Sequence, residues 1–157
     1  RARTLWPHTT GALYYKMNDN YPGVSWSCVD YYGIIKPVHY FVQKSFAPLA
    51  AVMLFDRSNL ASQEVSLPVY LLDDCQTLEK EPYQVKVSIY NALLDTVATH
   101  TFNGTGDDNV VKKLGEINLN REQTKSTMLF FVLDIIKDNK NSQKNGKIWI
   151  NKVSVWY

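Results

Sequence analysis

Asp19 and Asp30 are the first residues whose types invite chemistry. Two carboxylates can divide acid and base work across a reacting bond. Both lie in "NDNYPGVSWSCVDYYG", residues 18–33, a stretch that mixes Asn, Tyr, Trp, Gly and Pro with little periodicity. Loop sequence between them permits almost any separation. The plainer reading is that Asp19 accepts hydrogen bonds from its own loop backbone and that Asp30 caps or braces a turn, as Asx side chains do. Other chemistries find less support. His8, His39 and His100 make no ligand set with Cys28 and Cys75 at metal spacing, so no metal is expected. No G-x-S-x-G elbow is present for a serine nucleophile. The two Cys read as reduced bystanders rather than a disulfide scaffold.

The elements that must hold this stretch change character near Pro48. Residues 11–18, "GALYYKMN", read as a strand, residues 19–33 as an irregular aromatic loop, and residues 34–46 as a helix. In that helix Ile35, Val38, Val42 and Phe46 keep a helical stripe, with His39 near it, and Pro37 suits a first turn because its missing N–H would have no partner there. Strand, loop and helix make a β/α unit. A single such unit cannot close a sheet or cover its own strand edges, so residues 1–47 are expected to be the last piece of a larger body.

After Pro48 the pattern has period two. In "YQVKVSIY", Tyr83, Val85, Val87 and Ile89 share one face and Gln84, Lys86 and Ser88 the other. Comparable runs fall at about 50–56, 64–72, 96–102, 111–119, 127–136 and 147–156, separated by the turn-rich segments "DRSN", "DD", "NGTGDDN" and "DNKNSQKNG". Short antiparallel strands at this spacing indicate an immunoglobulin-like β-sandwich over residues 48–157. Asn103-Gly104-Thr105 fits a glycosylation sequon but reads as a turn. Trp149 and Trp156 lie on opposite faces of the last strand unless a bulge intervenes, one in the core and the other at an interface.

Composition excludes several partners. A chain of 157 residues with a net charge of only +2 and scattered basic residues lacks the concentrated stripe of a nucleic-acid or anionic-membrane surface. No apolar run reaches the ~18 residues of a membrane span. The chain opens on Arg1-Ala2-Arg3 without an initiator Met or an apolar targeting segment. It is therefore expected to be a fragment. Its compartment is unknown, with the cytoplasm favoured.

The stretch "GALYYKMNDNYPGVSWSCVDYYGIIKPVHYFVQKSFAP" resembles the segment that closes the catalytic barrel in β-mannosidases of glycoside hydrolase family 2, whose pattern reads approximately G-x-L-Y-W-Q-L-N-D-x-W-x-x-x-S-W-x-x-x-D-Y-x-G-x-x-K-x-x-H-Y-F, then Ala-Pro. Gly11, Leu13, Tyr14, Asn18, Asp19, Ser25, Trp26, Asp30, Tyr31, Gly33, Lys36, His39, Tyr40, Phe41, Ala47 and Pro48 fall in register. Tyr15 and Tyr21 stand where the family has Trp, Lys16 where it has Gln, and Met17 where it has Leu. Family members acting on β-glucosaminides or β-galactosides therefore remain alternatives. The closing segment "GKIWINKVSVWY" is similar in shape to the family's terminal strand.

The resemblance implies that residues 1–47 end a (β/α)8 barrel, contributing its last strand, loop and helix, and that a mainly β, immunoglobulin-like antiparallel sandwich follows. Barrel sites lie at the C-terminal ends of the strands, where the 19–33 loop would sit. Saccharide pockets need aromatic faces to stack on a pyranose and amide or carboxylate groups to take its hydroxyls. Trp26, Asn18, Tyr21 and Asp19 are the candidate substrate-binding residues, whereas Tyr14, Tyr15, Tyr31 and Tyr32 read as packing residues with satisfied hydroxyls. The implied substrate is a β-linked saccharide, the implied partners are the upstream barrel and N-terminal domains of the same chain, and no cofactor is needed. Retention requires two carboxylates about 5–5.5 Å apart. In the family both are Glu on earlier strands, and no Glu precedes Glu64 here. The segment is thus expected to carry no catalytic residue and to be inactive alone. The rival is a noncatalytic carbohydrate-binding or purely structural sandwich module.

Overall fold

The computed structural model describes residues 1–55, 64–108, 110–125 and 128–137, and the backbone alone of 138 and 147–156. Contacts divide the chain into two compact units, Ala2–Ala47 and Pro48–Tyr157.

In the second unit the period-two runs become strands: β1 (Leu49–Met53), β2 (Val65–Asp73), β3 (Pro82–Tyr90), β4 (Thr96–Thr105), β5 (Val111–Leu119), β6 (Phe130–Asp138) and β7 (Lys147–Trp156). They form two antiparallel sheets, β1-β2-β5 and β4-β3-β6-β7. The chain changes sheets after β2, after β4 and after β5, the connectivity of an immunoglobulin-like sandwich. Alternation decides what is buried. Val85, Val87 and Ile89 of β3 pair with Ile135, Leu133 and Phe131 of β6, and all six are fully buried. Val69 of β2 and Ile117 of β5 fill the other sheet's inner face, and Phe55 meets Phe131 edge to face at 5.3 Å. Each such side chain contributes about 1.5–3 kcal/mol by leaving water.

Two expectations in this unit need correction or fall outside the described residues. Asn103, Gly104 and Thr105 are not a turn but the end of β4, laddered opposite Gln84, Tyr83 and Pro82. The Gln84 amide donates to Asn103 Oδ1 at 3.1 Å, and a paired strand overrides the local turn preference of Asn-Gly. The ladder of β6 with β7 slips between Ile135, opposite Asn151, and Ile136, opposite Trp149. The faces taken by the Trp149 and Trp156 side chains lie outside the described residues.

In the first unit a 3-10 turn (Arg3–Leu5) precedes the loop and one helix, α1 (Pro37–Ser45). The helix starts three residues later than the sequence suggests because Lys36, ahead of Pro37, is extended at φ −84° and ψ 154°. Proline disfavours the helical region for the residue before it. At the other end the Arg3 guanidinium donates to the carbonyls of Ser45 and Ala47 at 3.1 and 2.8 Å, satisfying oxygens that a helix C-terminus leaves open.

Residues 11–18 do not form the expected strand. They carry no ladder, only an isolated bridge of Asn18 with Val29. A strand is made by its neighbours, and this unit supplies none. The stripe of α1 is likewise uncovered: no residue of the helix is buried, and Ile35 and Phe46 are about half exposed. Tyr15, Tyr31 and Tyr32 are exposed rather than packed, for the same reason. Among the described residues no helix is long and apolar enough to cross a membrane.

Candidate functional site

The loop is built from backbone outward. The Cys28 and Val29 amides donate to Met17 O at 3.0 and 3.1 Å, Asp19 N donates to Val29 O at 3.1 Å, and Lys36 N donates to Cys28 O at 2.9 Å. These bonds bring the two ends of the loop and the start of α1 together. Asp19, Ser27 and Cys28 are thereby enclosed, and the centre of the unit is polar.

Asp19 is the hub. Its Oδ1 accepts hydrogen bonds from Ser25 Oγ and, at 3.2 Å, from Lys16 Nζ. Its Oδ2 accepts from Ser27 Oγ at 2.7 Å and Lys36 Nζ at 3.1 Å. A carboxylate that is only 6% exposed needs such company, because an unpaired buried charge is costly. The Ser25 hydroxyl foremost, then the Ser27 hydroxyl and the ammonium groups of Lys36 and Lys16, hold its carboxyl well below the usual carboxylate range against the opposing effect of burial. It therefore stays ionised, fully engaged with its own unit, and its bonds run to side chains rather than to the loop backbone expected from an Asx turn.

Asp30 belongs to a separate system. Its Oδ1 accepts from the amides of Tyr32 and Ile34 at 2.9 and 2.8 Å, an Asx turn closed by Gly33 at φ 83°, a left-handed value that favours glycine. The two acids are committed to different networks and do not share a site. Among the described residues, no group of three or more His, Cys, Asp or Glu converges as a metal site.

The aromatic candidates stand outside this hub. Trp26 is 81% exposed, although Ser25 and Ser27 on either side of it belong to the Asp19 cluster. The Tyr14 hydroxyl donates to Trp26 O. That phenol titrates above its ordinary range, through burial first and then through the neighbouring Cys28 thiol. Tyr21 is 63% exposed, its ring 5.4 Å from Lys16 Nζ in a cation–π arrangement. Asn18 is exposed, and its amide reaches Asp19 O at only 3.4 Å. Of the four candidate residues, Trp26, Tyr21 and Asn18 thus present free surface, and Asp19 presents none.

Sequence reasoning did not single out Lys16, Ser27 or Lys36 as supports of the loop. The available signal was a lone acid at the start of an aromatic loop, which needs cations nearby if it is to be buried. The sandwich offers a different kind of surface. A cavity of about 440 Å³ is lined by Cys75, Gln76, Glu79, Lys80, Asp107 and Asp108, with no aromatic face among them.

Comparison with known proteins gives a consistent result. The chain is 44% identical over 59 residues to a β-mannosidase of Capra hircus and 49% identical over 45 residues to one of Rattus norvegicus, matches that cover 38% and 29% of this chain. A solved structure of a β-D-mannosidase from Dictyoglomus thermophilum superposes on 94% of the chain with a TM-score of 0.67 and 26% identity. The chain matches only a small part of these proteins, 7% and 5% of the curated relatives and 17% of the solved chain. No protein-family model matches. The resemblance read from residues 11–48 and the antiparallel sandwich both agree with these relatives.

Proposed function

We infer that this chain is the C-terminal portion of a retaining family 2 glycoside hydrolase similar to the β-mannosidases. In this reading residues 1–47 are the closing strand, loop and helix of its catalytic barrel, and residues 48–157 are an accessory sandwich. The observations that carry the reading are the motif of residues 11–48 and the β-D-mannosidase structure that superposes on 94% of the chain with a TM-score of 0.67. Within that motif the Trp26 indole stands on a loop tied down by a buried ionic cluster, and an aromatic face so placed suits stacking on the C–H face of a pyranose. Tyr21 and Asn18 beside it supply a second ring and an amide for sugar hydroxyls. Asp19, which sequence reasoning offered as a sugar contact, serves instead to hold that wall.

The chain supplies no catalytic residue in this reading. A retaining mechanism needs one carboxyl as nucleophile and a second as acid/base, about 5–5.5 Å apart. No Glu precedes Glu64, and both loop acids have other work. The pair would come from barrel strands upstream, and the saccharide would bind between them and this wall. The remaining partners are the upstream domains of the same chain, with no nucleic acid and no membrane.

The test is hydrolysis of a panel of aryl β-glycosides by the full-length protein, with residues 1–157 alone as control. Cleavage of the β-mannoside by the full-length protein and none by the segment is the expected result. Preference for a β-glucosaminide or β-galactoside would replace the sugar and direct attention to Tyr15, which is 78% exposed where the family carries Trp. Failure to cleave any of them would overturn the reading in favour of a binding module.

A further inference from the structure

Trp26 is aimed without being packed. Its side chain has little protein around it, so the direction of the indole depends on the two peptide planes that flank its Cα and on its own side-chain torsions. Both planes are tied. The Ser25 carbonyl, which belongs to the plane before Trp26, accepts from Lys36 Nζ at 3.3 Å. In the plane after it, the Trp26 carbonyl accepts from the Tyr14 hydroxyl, and Ser27 N donates to Ser25 Oγ at 3.2 Å. The same Lys36 ammonium reaches Ser27 Oγ at 2.8 Å and Asp19 Oδ2 at 3.1 Å. One compact cation from the start of α1 thus joins the residue before Trp26, the residue after it and the buried acid.

We propose that Lys36 is a positioning residue for substrate, acting through Trp26 by holding the Ser25 carbonyl before the indole and the Ser27 side chain after it. The proposal rests on the reading of Trp26 as a pocket wall. Its physical content is preorganisation: a ring whose backbone is already ordered loses less freedom when a sugar stacks on it. A compact ammonium suits the four oxygens that converge on it, Asp19 Oδ2, Ser25 O, Ser27 Oγ and, at 3.5 Å, Ser25 Oγ, where a planar guanidinium would not.

The test is a double-mutant cycle in the full-length protein, read by steady-state hydrolysis of the aryl β-glycoside that it cleaves. Trp26→Ala is expected to raise KM more than it lowers kcat, the signature of lost binding common to ground and transition states. Lys36→Met is expected to do the same, with kcat/KM falling about tenfold, as misplaced positioning groups cost. Combined, the two changes should be no worse than Trp26→Ala alone, because a support has no effect once what it supports is gone. Multiplicative losses would overturn the proposal, since a lysine acting only on overall stability would not depend on Trp26. A Trp26→Ala enzyme with unchanged kinetics would instead refute the pocket-wall reading, and the proposal with it. If Lys36→Met does not fold, Ser27→Ala, which removes one oxygen from the same ammonium, replaces it in the cycle with a smaller loss and the same required non-additivity.

Discussion

The two units of this chain are built in opposite senses. The sandwich encloses Phe131, Leu133, Ile135, Val85, Val87 and Ile89, and among its described residues the large apolar side chains left exposed are Leu93, Leu94 and Met128. The first unit encloses Asp19, Ser27 and Cys28 and leaves Trp6, Leu13, Val24, Trp26, Ile34, Tyr40 and Phe41 in solvent. The hydrophobic effect organises the one, and hydrogen bonds and ion pairs organise the other. Exposed apolar surface on this scale marks a face that something else covers. The contrast teaches that residues 2–47 have a local structure of their own, set by a polar hub, but no core of their own.

The largest consequence concerns the sandwich. Phe131→Ala should destabilise it by about 3–5 kcal/mol, the range for emptying a buried aromatic site. Phe41→Ala, at a position 64% exposed on α1, should move the same unfolding transition by no more than about 0.5 kcal/mol. Urea denaturation of the 157-residue chain followed by far-UV dichroism compares them. Equal losses would break the contrast by showing that α1 contributes to the stability of the sandwich. In the full-length protein the proposed barrel would cover Phe41, and the same substitution should then become costly.

Removing residues 1–47 sharpens the comparison further. The remaining sandwich should retain its cooperative transition, because among the described residues its core comes from β1 to β6 and the segments joining them. Binding of a hydrophobic dye and self-association of the 157-residue chain should fall together on truncation. Persistence of both in residues 48–157 would place the sticky surface on the sandwich instead.

The two units were legible to different degrees in the sequence, for physical reasons. Period-two alternation reads directly as strand and face, and Val85, Val87 and Ile89 lie where that alternation puts them. In Asn103-Gly104-Thr105, pairing with β3 carried the strand through a turn signal that no neighbour-blind reading could discount. In the first unit the motif offered Trp26, Asn18 and Tyr21 as substrate-binding candidates, and all three side chains lie exposed. Of the stripe Ile35, Val38, Val42 and Phe46, only Val38 and Val42 lie on α1, with Ile35 ahead of it and Phe46 at its C-cap, and pattern alone cannot say which body covers them. Asp19 was misread because its partners are scattered: Lys16 and Ser25 are near in sequence, whereas Lys36 arrives only when the loop closes. Sequence spacing carries no record of that closure.

The smallest effect expected is a local one, and it isolates the polar hub from the apolar core. The Asp19 carboxyl titrates lower in the folded loop than in an unfolded chain, so its contribution is present in full above the unfolded value, about 4. As pH falls below that value, the unfolded loop takes up a proton before the folded one does, and the contribution declines progressively. Between pH 5 and pH 2.5, corrected for intrinsic exchange rates, protection of the Val29 and Lys36 amides should therefore fall while that of the β3 amides at Val85 and Val87 holds longer. Asp19→Asn should flatten the loop's pH dependence and leave that of the strands unchanged. A loop whose protection ignores pH in the unsubstituted chain would mean that the serine hydroxyls and backbone bonds hold it without the charge. A loop and strands that lose protection together would mean that the two units open as one.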